Sequence, residues 1–335
     1  MKPRAMNYVK PTRRRTGTIL SLAALGLAAL APNVLDSYTR HVLMLAMINI
    51  ILGLGLNFTL GYVGQPNFGQ AALFGFGAYT SAILAMKMHV SFLVSIVAAG
   101  LVTLMAGYVL GYISLQLRGA YFCMVTIALG QALLLMASNL LRLTGGPMGL
   151  AGIPGPKLAG LLSSTYSLWL VALGLLALML LVTRLLERSV MGRAWVAIRE
   201  SETLARSTGV DTFHYALLAY VAGALFAGLG GSLYAHYVGF VDPSIFAFSW
   251  SSMSVVAVVI GGRGTIWGPV IGGLLVTLLP EYLRVAALWR LPMFGLVLIL
   301  IITFMPDGLV ALPRLLAQVR SRGKTGVALP GGGGD

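Results

Sequence analysis

Arg188-Ser-Val-Met-Gly192-Arg193-Ala-Trp195-Val-Ala-Ile-Arg199-Glu200-Ser-Glu202-Thr-Leu-Ala205-Arg206-Ser-Thr-Gly209-Val is the only long polar segment inside this chain, and apolar runs flank it on both sides. Counted from Glu187, it holds three of the nine acids and four of the 23 Lys and Arg, in a sequence only 10% charged. At helical period Trp195, Ile198 and Ala205 share one face, while Arg199, Glu202 and Arg206 share the other. Gly192 and Gly209 mark the ends, so the spacing predicts one short amphipathic helix between turns. A polar segment between membrane spans suits contact with a soluble partner. The simpler reading is a solvated connector carrying basic residues.

Working outward, the rest of the chain is a ladder of apolar runs. With 58% apolar residues and a mean hydropathy of +0.89, an ordinary soluble domain is excluded. The runs are long enough for helices that cross a bilayer, and the ten-residue alternation of a membrane β-barrel is missing. The expected fold is therefore an all-α polytopic membrane protein of about ten spans. These are Thr18–Val34, His41–Leu60, Gln70–Met86, Ser91–Leu115, Ala120–Leu141, Tyr166–Leu186, Phe213–Tyr237, the short Ser249–Ile260, Trp267–Leu283 and Leu291–Phe304. Arg13-Arg14-Arg15 before an apolar stretch resembles a secretory signal, but Pro32 directly after the Ala29–Ala31 box disfavours cleavage and favours a retained first span.

Charge gives the orientation. If the N-terminus lies inside, only Arg40, Lys87, Arg142, Lys157, Arg284 and Arg290 of the 23 basic residues fall on the outer side. That bias places both termini and the Arg188–Val210 segment in the cytoplasm. The expected organisation is a basic tail over residues 1–17, a membrane domain over 18–310 with its cytoplasmic loop at 187–212, and a disordered tail over 311–335 that carries four glycines at 331–334. The net charge of +14 follows from this topology, since no aromatic-interleaved basic domain for nucleic acid is present.

Two glycine-rich breaks interrupt the ladder. Gly61-Tyr-Val-Gly64-Gln65-Pro66-Asn67-Phe-Gly69-Gln70 leads into Gly75-Phe-Gly77, and Pro66 must break helical bonding. A broken or re-entrant helix is expected there, with Asn57, Gly64, Asn67, Gly69, Gly75, Gly77 and Gln131 as candidates to line a solute path. Close helix packing through Gly75 and Gly77 explains the same pattern. Gly261-Gly-Arg263-Gly264-Thr-Ile-Trp267-Gly268-Pro269 is a faint echo of the first break. A Gly/Pro-rich outer loop, with Gly145, Gly146 and Gly149, is either a surface for a solute-delivering receptor or a rigid connector.

Catalytic chemistry has no foothold. His41, His89, His214 and His236 lack metal-ligand spacing, and Gly323-Lys324-Thr325 lacks the first glycine and strand of a phosphate loop. Cys123 stands alone, so no intrachain disulfide forms. No acid falls near a span centre, which argues against an ion-coupled carrier. Energy for uphill transport must then arrive through another subunit.

Gly192-Arg-Ala-x-x-Ala-Ile-Arg199-Glu200 with Glu202, Ala205 and Gly209 resembles the cytoplasmic loop of branched-chain amino-acid ABC permeases of the LivM type, with Leu204 replacing the first of the usual paired alanines. The segments Gly61–Tyr79, Thr144–Pro154 and Gly261–Gly273 also resemble signature regions of that family, in the same order. The resemblance implies an importer subunit for branched-chain amino acids, with no cofactor of its own. ATP and Mg would sit on two partner ATPases, beside a second homologous permease and an extracytoplasmic binding protein. Gly192, Arg193, Trp195, Arg199, Glu202, Ala205 and Gly209 would form the coupling loop, with Arg199 and Glu202 touching the ATPase and Trp195 and Ala205 filling its groove. The spans on either side, Tyr166–Leu186 and Phe213–Tyr237, would carry its motion. Alternatives are a urea or short-amide permease of the same family, an ATPase-independent channel or carrier, and a non-transporting scaffold.

Overall fold

The computed structural model describes residues 36–155, 164–283, 289–305 and 308–312. The expected span Thr18–Val34, the basic N-terminal tail and nearly all of the C-terminal tail lie outside the described residues. Each of the other nine expected spans corresponds to a helix. They are α1 (Ser37–Asn57), α2 (Gln70–Lys87), α3 (Phe92–Ser114), α4 (Ala120–Asn139), α5 (Ser164–Arg188), α8 (Thr212–Val238), α9 (Phe248–Gly261), α10 (Trp267–Tyr282) and α11 (Arg290–Phe304). The polar segment supplies α6 (Val190–Glu200) and α7 (Glu202–Ser207). Five of these helices are long and apolar enough to cross a membrane, α1 counting with the six residues that prolong it. The protein is a helical polytopic membrane protein.

α8 is the axis of the bundle, and small residues let the others close on it. A Cβ on Gly77 of α2 would strike the backbone of Gly228, whose own Cβ would strike Thr103 of α3. A Cβ on Gly223 would stand 2.6 Å from the Gly55 carbonyl of α1. Lipid offers helices no hydrophobic drive to associate, so this close backbone approach is where packing energy is gained. Gly77 is thus a packing residue, and so is Gly75, where the Phe246 ring fills the space a side chain would need. This corrects the reading of both as path-lining positions. α3 and α4 keep a broad apolar face outward, including Leu101, Met105, Tyr121 and Met124, as lipid or a neighbouring subunit requires.

The expected break after α1 is present and has a definite shape. α1 runs on as a π-helical turn, Phe58–Val63, and ends at Gly64, whose φ of +85° is left-handed. Asn67 then holds the loop: its Oδ1 accepts from the Gly69 N–H (2.8 Å) and its amide donates to Gln70 Oε1 (3.2 Å). The Gln70 amide in turn donates to the Gly223 carbonyl (3.0 Å), so α2 begins level with Gly55, well inside the end of α1. The chain has turned back into the bundle. α9 also begins deep, with Phe248 packed on Phe68 at 5.3 Å and Ser251 Oγ accepting from the Ala71 N–H (2.9 Å).

Candidate functional site

The polar segment folds as two helices, not the single one expected. Ser189 caps α6 by accepting from the Gly192 N–H (3.4 Å), and Ser201 caps α7 by accepting from the Leu204 N–H (3.3 Å). Ser201 is extended, with φ −164° and ψ 109°, and so breaks the run between Glu200 and Glu202. Gly192 therefore lies inside α6, where a Cβ would collide with the Glu187 and Leu186 carbonyls as the chain folds back on α5. Gly209, with φ of +85°, does end α7, and the Val210 N–H returns to the Ala205 carbonyl (3.1 Å).

The amphipathic period was read correctly, but its apolar face is used internally. Trp195 is 1% exposed; its indole N–H donates to the Tyr215 carbonyl (2.7 Å) and its ring meets Phe58 at 5.6 Å. Ile198 and Ala205 are also buried. Trp195 and Ala205 therefore pack within this chain, which corrects their assignment to a partner's groove. What the pair of helices presents outward is Leu204, 66% exposed, with Val190, Met191 and Val196 on α6 and the charged Arg193. Leu204 was noted in the sequence only as a departure from the paired alanines. Its exposure on a capped, anchored helix is what the sequence did not reveal.

Nor are the charges on the other face free. Glu202 is paired with Arg118 at 2.6 Å and with Arg206 at 3.5 Å, which ties α7 to the turn between α3 and α4. Arg199 turns inward: its Nη1 donates to the Gly61 carbonyl (2.8 Å), and its Cγ lies 3.0 Å from where a Cβ on Gly64 would be. It is thus engaged inside the chain, with 24% of its side chain still exposed beside Glu200 (3.4 Å).

Gly61 in turn lies backbone to backbone against Gly264 of the second glycine-rich break. Asn57, fully buried, clasps that break with both ends of its amide. Its Oδ1 accepts from the Gly264 N–H (2.9 Å) and its Nδ2 donates to the Thr265 carbonyl (3.0 Å). The two breaks that echo each other in sequence thus meet in space, with Arg199 over the join. Of the other candidate path residues, Asn67 is buried and spent on the α2 start, and Gly69 lies against Thr126. Gln131 stands exposed on the outward face of α4, and Gly64 is exposed at the end of α1.

At the opposite end of the bundle the glycine-rich loop is a fastened strap. Gly145, Gly146 and Gly149 all take positive φ, and Leu150–Ala151 pairs antiparallel with Phe240–Val241. His236, on α8, holds the strap from below. Its Nδ1 lies 2.8 Å from the Pro154 carbonyl and must carry the proton there, so Nε2 accepts from Ser81 Oγ (2.9 Å), which accepts in turn from Ser232 (2.7 Å). The sequence placed His236 only near a span end. Among the described residues, no group of His, Cys, Asp and Glu is arranged to hold a metal.

Residues 38–306 match the family described as branched-chain amino acid transport system / permease component. The chain is 35% identical over 317 residues to the high-affinity branched-chain amino acid transport system permease protein LivM of Escherichia coli K12, covering 88% of this chain and 75% of that one. It is 27% identical over 293 residues to the permease protein LivH of Salmonella typhimurium, covering 79% and 92%. A probable LivM of Methanocaldococcus jannaschii is 26% identical over 312 residues, covering 78% and 89%. No solved structure matches the chain. The matched region takes in the α6–α7 pair, both glycine-rich breaks and the strap, and the chain belongs to the family of branched-chain amino acid transport system permease components.

Proposed function

We propose that this permease carries branched-chain or related hydrophobic amino acids inward, driven by ATP hydrolysed on two partner ATPase subunits. ATP and Mg belong to those subunits and not to this chain. A second homologous permease completes the path, and an extracytoplasmic amino-acid-binding protein delivers the solute at the strap end. The Arg199 end faces the cytoplasm, with both chain termini on that side of the inner membrane.

One observation carries the coupling part of this reading: α6–α7 is anchored by its own buried face and still exposes Leu204 with Val190 on the solvent side. An apolar patch on a polar element outside the spans fits a docking contact, with Leu204 entering a groove on the ATPase. The substrate rests on the relatives, whose names specify branched-chain amino acids.

The test is co-expression with candidate ATPase subunits, purification and reconstitution with a binding protein. Hydrolysis that rises when the binding protein carries leucine, with labelled leucine accumulating, is the expected result. Accumulation of urea in place of leucine, or transport without any ATPase, would replace the reading.

A further inference from the structure

The end of α1 leaves a carbonyl without its usual partner. Near a helix C-terminus the last C=O groups must find donors elsewhere. For Gly61, the Gln65 N–H is spent on the Thr59 carbonyl (2.9 Å), and the next residue, Pro66, has no N–H to give. The Arg199 guanidinium supplies the missing donor and sets its positive charge at the negative end of the helix. The space around that guanidinium is kept by glycines. The positions Gly64 and Gly264 flank the guanidinium and its stem, and a Cβ on Gly264 would overlap Nη1 itself.

We infer that Arg199 is a positioning residue that links movement of the α6–α7 pair to the end of α1 and to the Gly261–Gly268 turn. This rests on the reading that α6–α7 receives the ATPase. The link does not run only through α5 and α8, the spans adjoining the pair in sequence. Because Asn57 binds Gly264 and Thr265 from α1, the end of the first described span and the second break move as one body. Shifting α6 by more than a hydrogen-bond length uncovers the Gly61 carbonyl and empties the slot between two glycines. That makes the joint two-state, docked or released, and not gradually deformable. A pull on α6 by an ATPase is therefore passed through the Arg199 cap to the end of α1 and the Gly261–Gly268 turn.

The experiment uses the complete complex in liposomes, comparing wild type with Arg199→Ala and Arg199→Lys and reading leucine molecules imported per ATP hydrolysed. Arg199→Ala lowers that ratio about fivefold or more, the range of a genuine coupling between sites. Arg199→Lys recovers most of it, because an ammonium also donates to the carbonyl. An unchanged ratio in Arg199→Ala, or a Lys variant no better than Ala, overturns the proposal. If the Ala variant fails to assemble, Arg199→Lys against Arg199→Met decides by the same ratio, since Met keeps the stem and removes the donor. A wild-type complex with no ATP-driven uptake sinks the functional reading beneath it, and is told apart because it needs no variant.

Discussion

The carboxylate of Glu202 lies 2.6 Å from the guanidinium of Arg118, joining the short helix α7 to the turn between α3 and α4. The pair is partly exposed, 24% at the Glu202 side chain and 49% at Arg118, so water and salt screen it. A double-mutant cycle of Arg118→Ala and Glu202→Ala, read by thermal unfolding in detergent, should give an interaction of about 0.5–1 kcal/mol at low salt. It should shrink towards zero in about 1 M salt, where the screening length falls to ~3 Å. An interaction that survives high salt would mean the pair is held by something other than charge.

Trp195 tests the other anchor. Removing a buried indole leaves a cavity beside Phe58 and Tyr62, so Trp195→Ala should cost about 3–5 kcal/mol and lower the yield of folded protein. Trp195→Phe keeps most of the packing and loses the bond to the Tyr215 carbonyl, a loss of about 1 kcal/mol. Were Trp195 a partner contact, both variants would unfold like wild type in isolation and fail only when the ATPase is added. Melting of the purified chain alone distinguishes the two.

These residues show what the sequence made legible. Apolar runs and their breaks placed nine helices to within a few residues, because in lipid every backbone group must be satisfied within its own helix. The α6–α7 faces were also readable from the 3.6 period. Period says which side is apolar, however, and not whether that side meets the same chain or another. Trp195 was misassigned for that reason. The inward bond of Arg199 was not legible, because its acceptor is a backbone carbonyl 138 positions away, orphaned by a proline. Gly75 and Gly77 carry no side chain, so their partners, Phe246 and Gly228, could be named only once the fold was known.

Two glycine substitutions should go in opposite directions. Gly228→Ala sets a methyl against the Thr103 side chain where α8 and α3 touch, closer than a Cβ can stand without something shifting. It should destabilise by about 1–3 kcal/mol. Gly174→Ala, on α5, meets nothing within 4 Å and gains helix propensity, so it should be neutral or stabilise by about 0.5–1 kcal/mol. Melting temperatures of the two variants in the same detergent check the sign. Similar losses at both positions would show that helical glycine matters here for something other than close packing.

Leu204 separates docking from folding. It is 66% exposed on α7, and Ser201 caps the helix through the Leu204 backbone and not its side chain. Leu204→Ala should therefore leave the melting temperature of the isolated chain nearly unchanged, since exposed substitutions usually shift stability by about 0.5 kcal/mol or less. Capture of the ATPase subunits should weaken by roughly tenfold, the loss for a central apolar anchor worth about 1.4 kcal/mol or more. Leu204→Asp adds a desolvation cost in the same groove and should weaken capture further. Ala205→Ser, one residue on but buried in this chain, should act in reverse: a lower melting temperature with capture retained by the fraction that folds. If Leu204→Ala binds the ATPase as tightly as wild type, the docking face must be sought elsewhere on α6, at Val190 and Arg193.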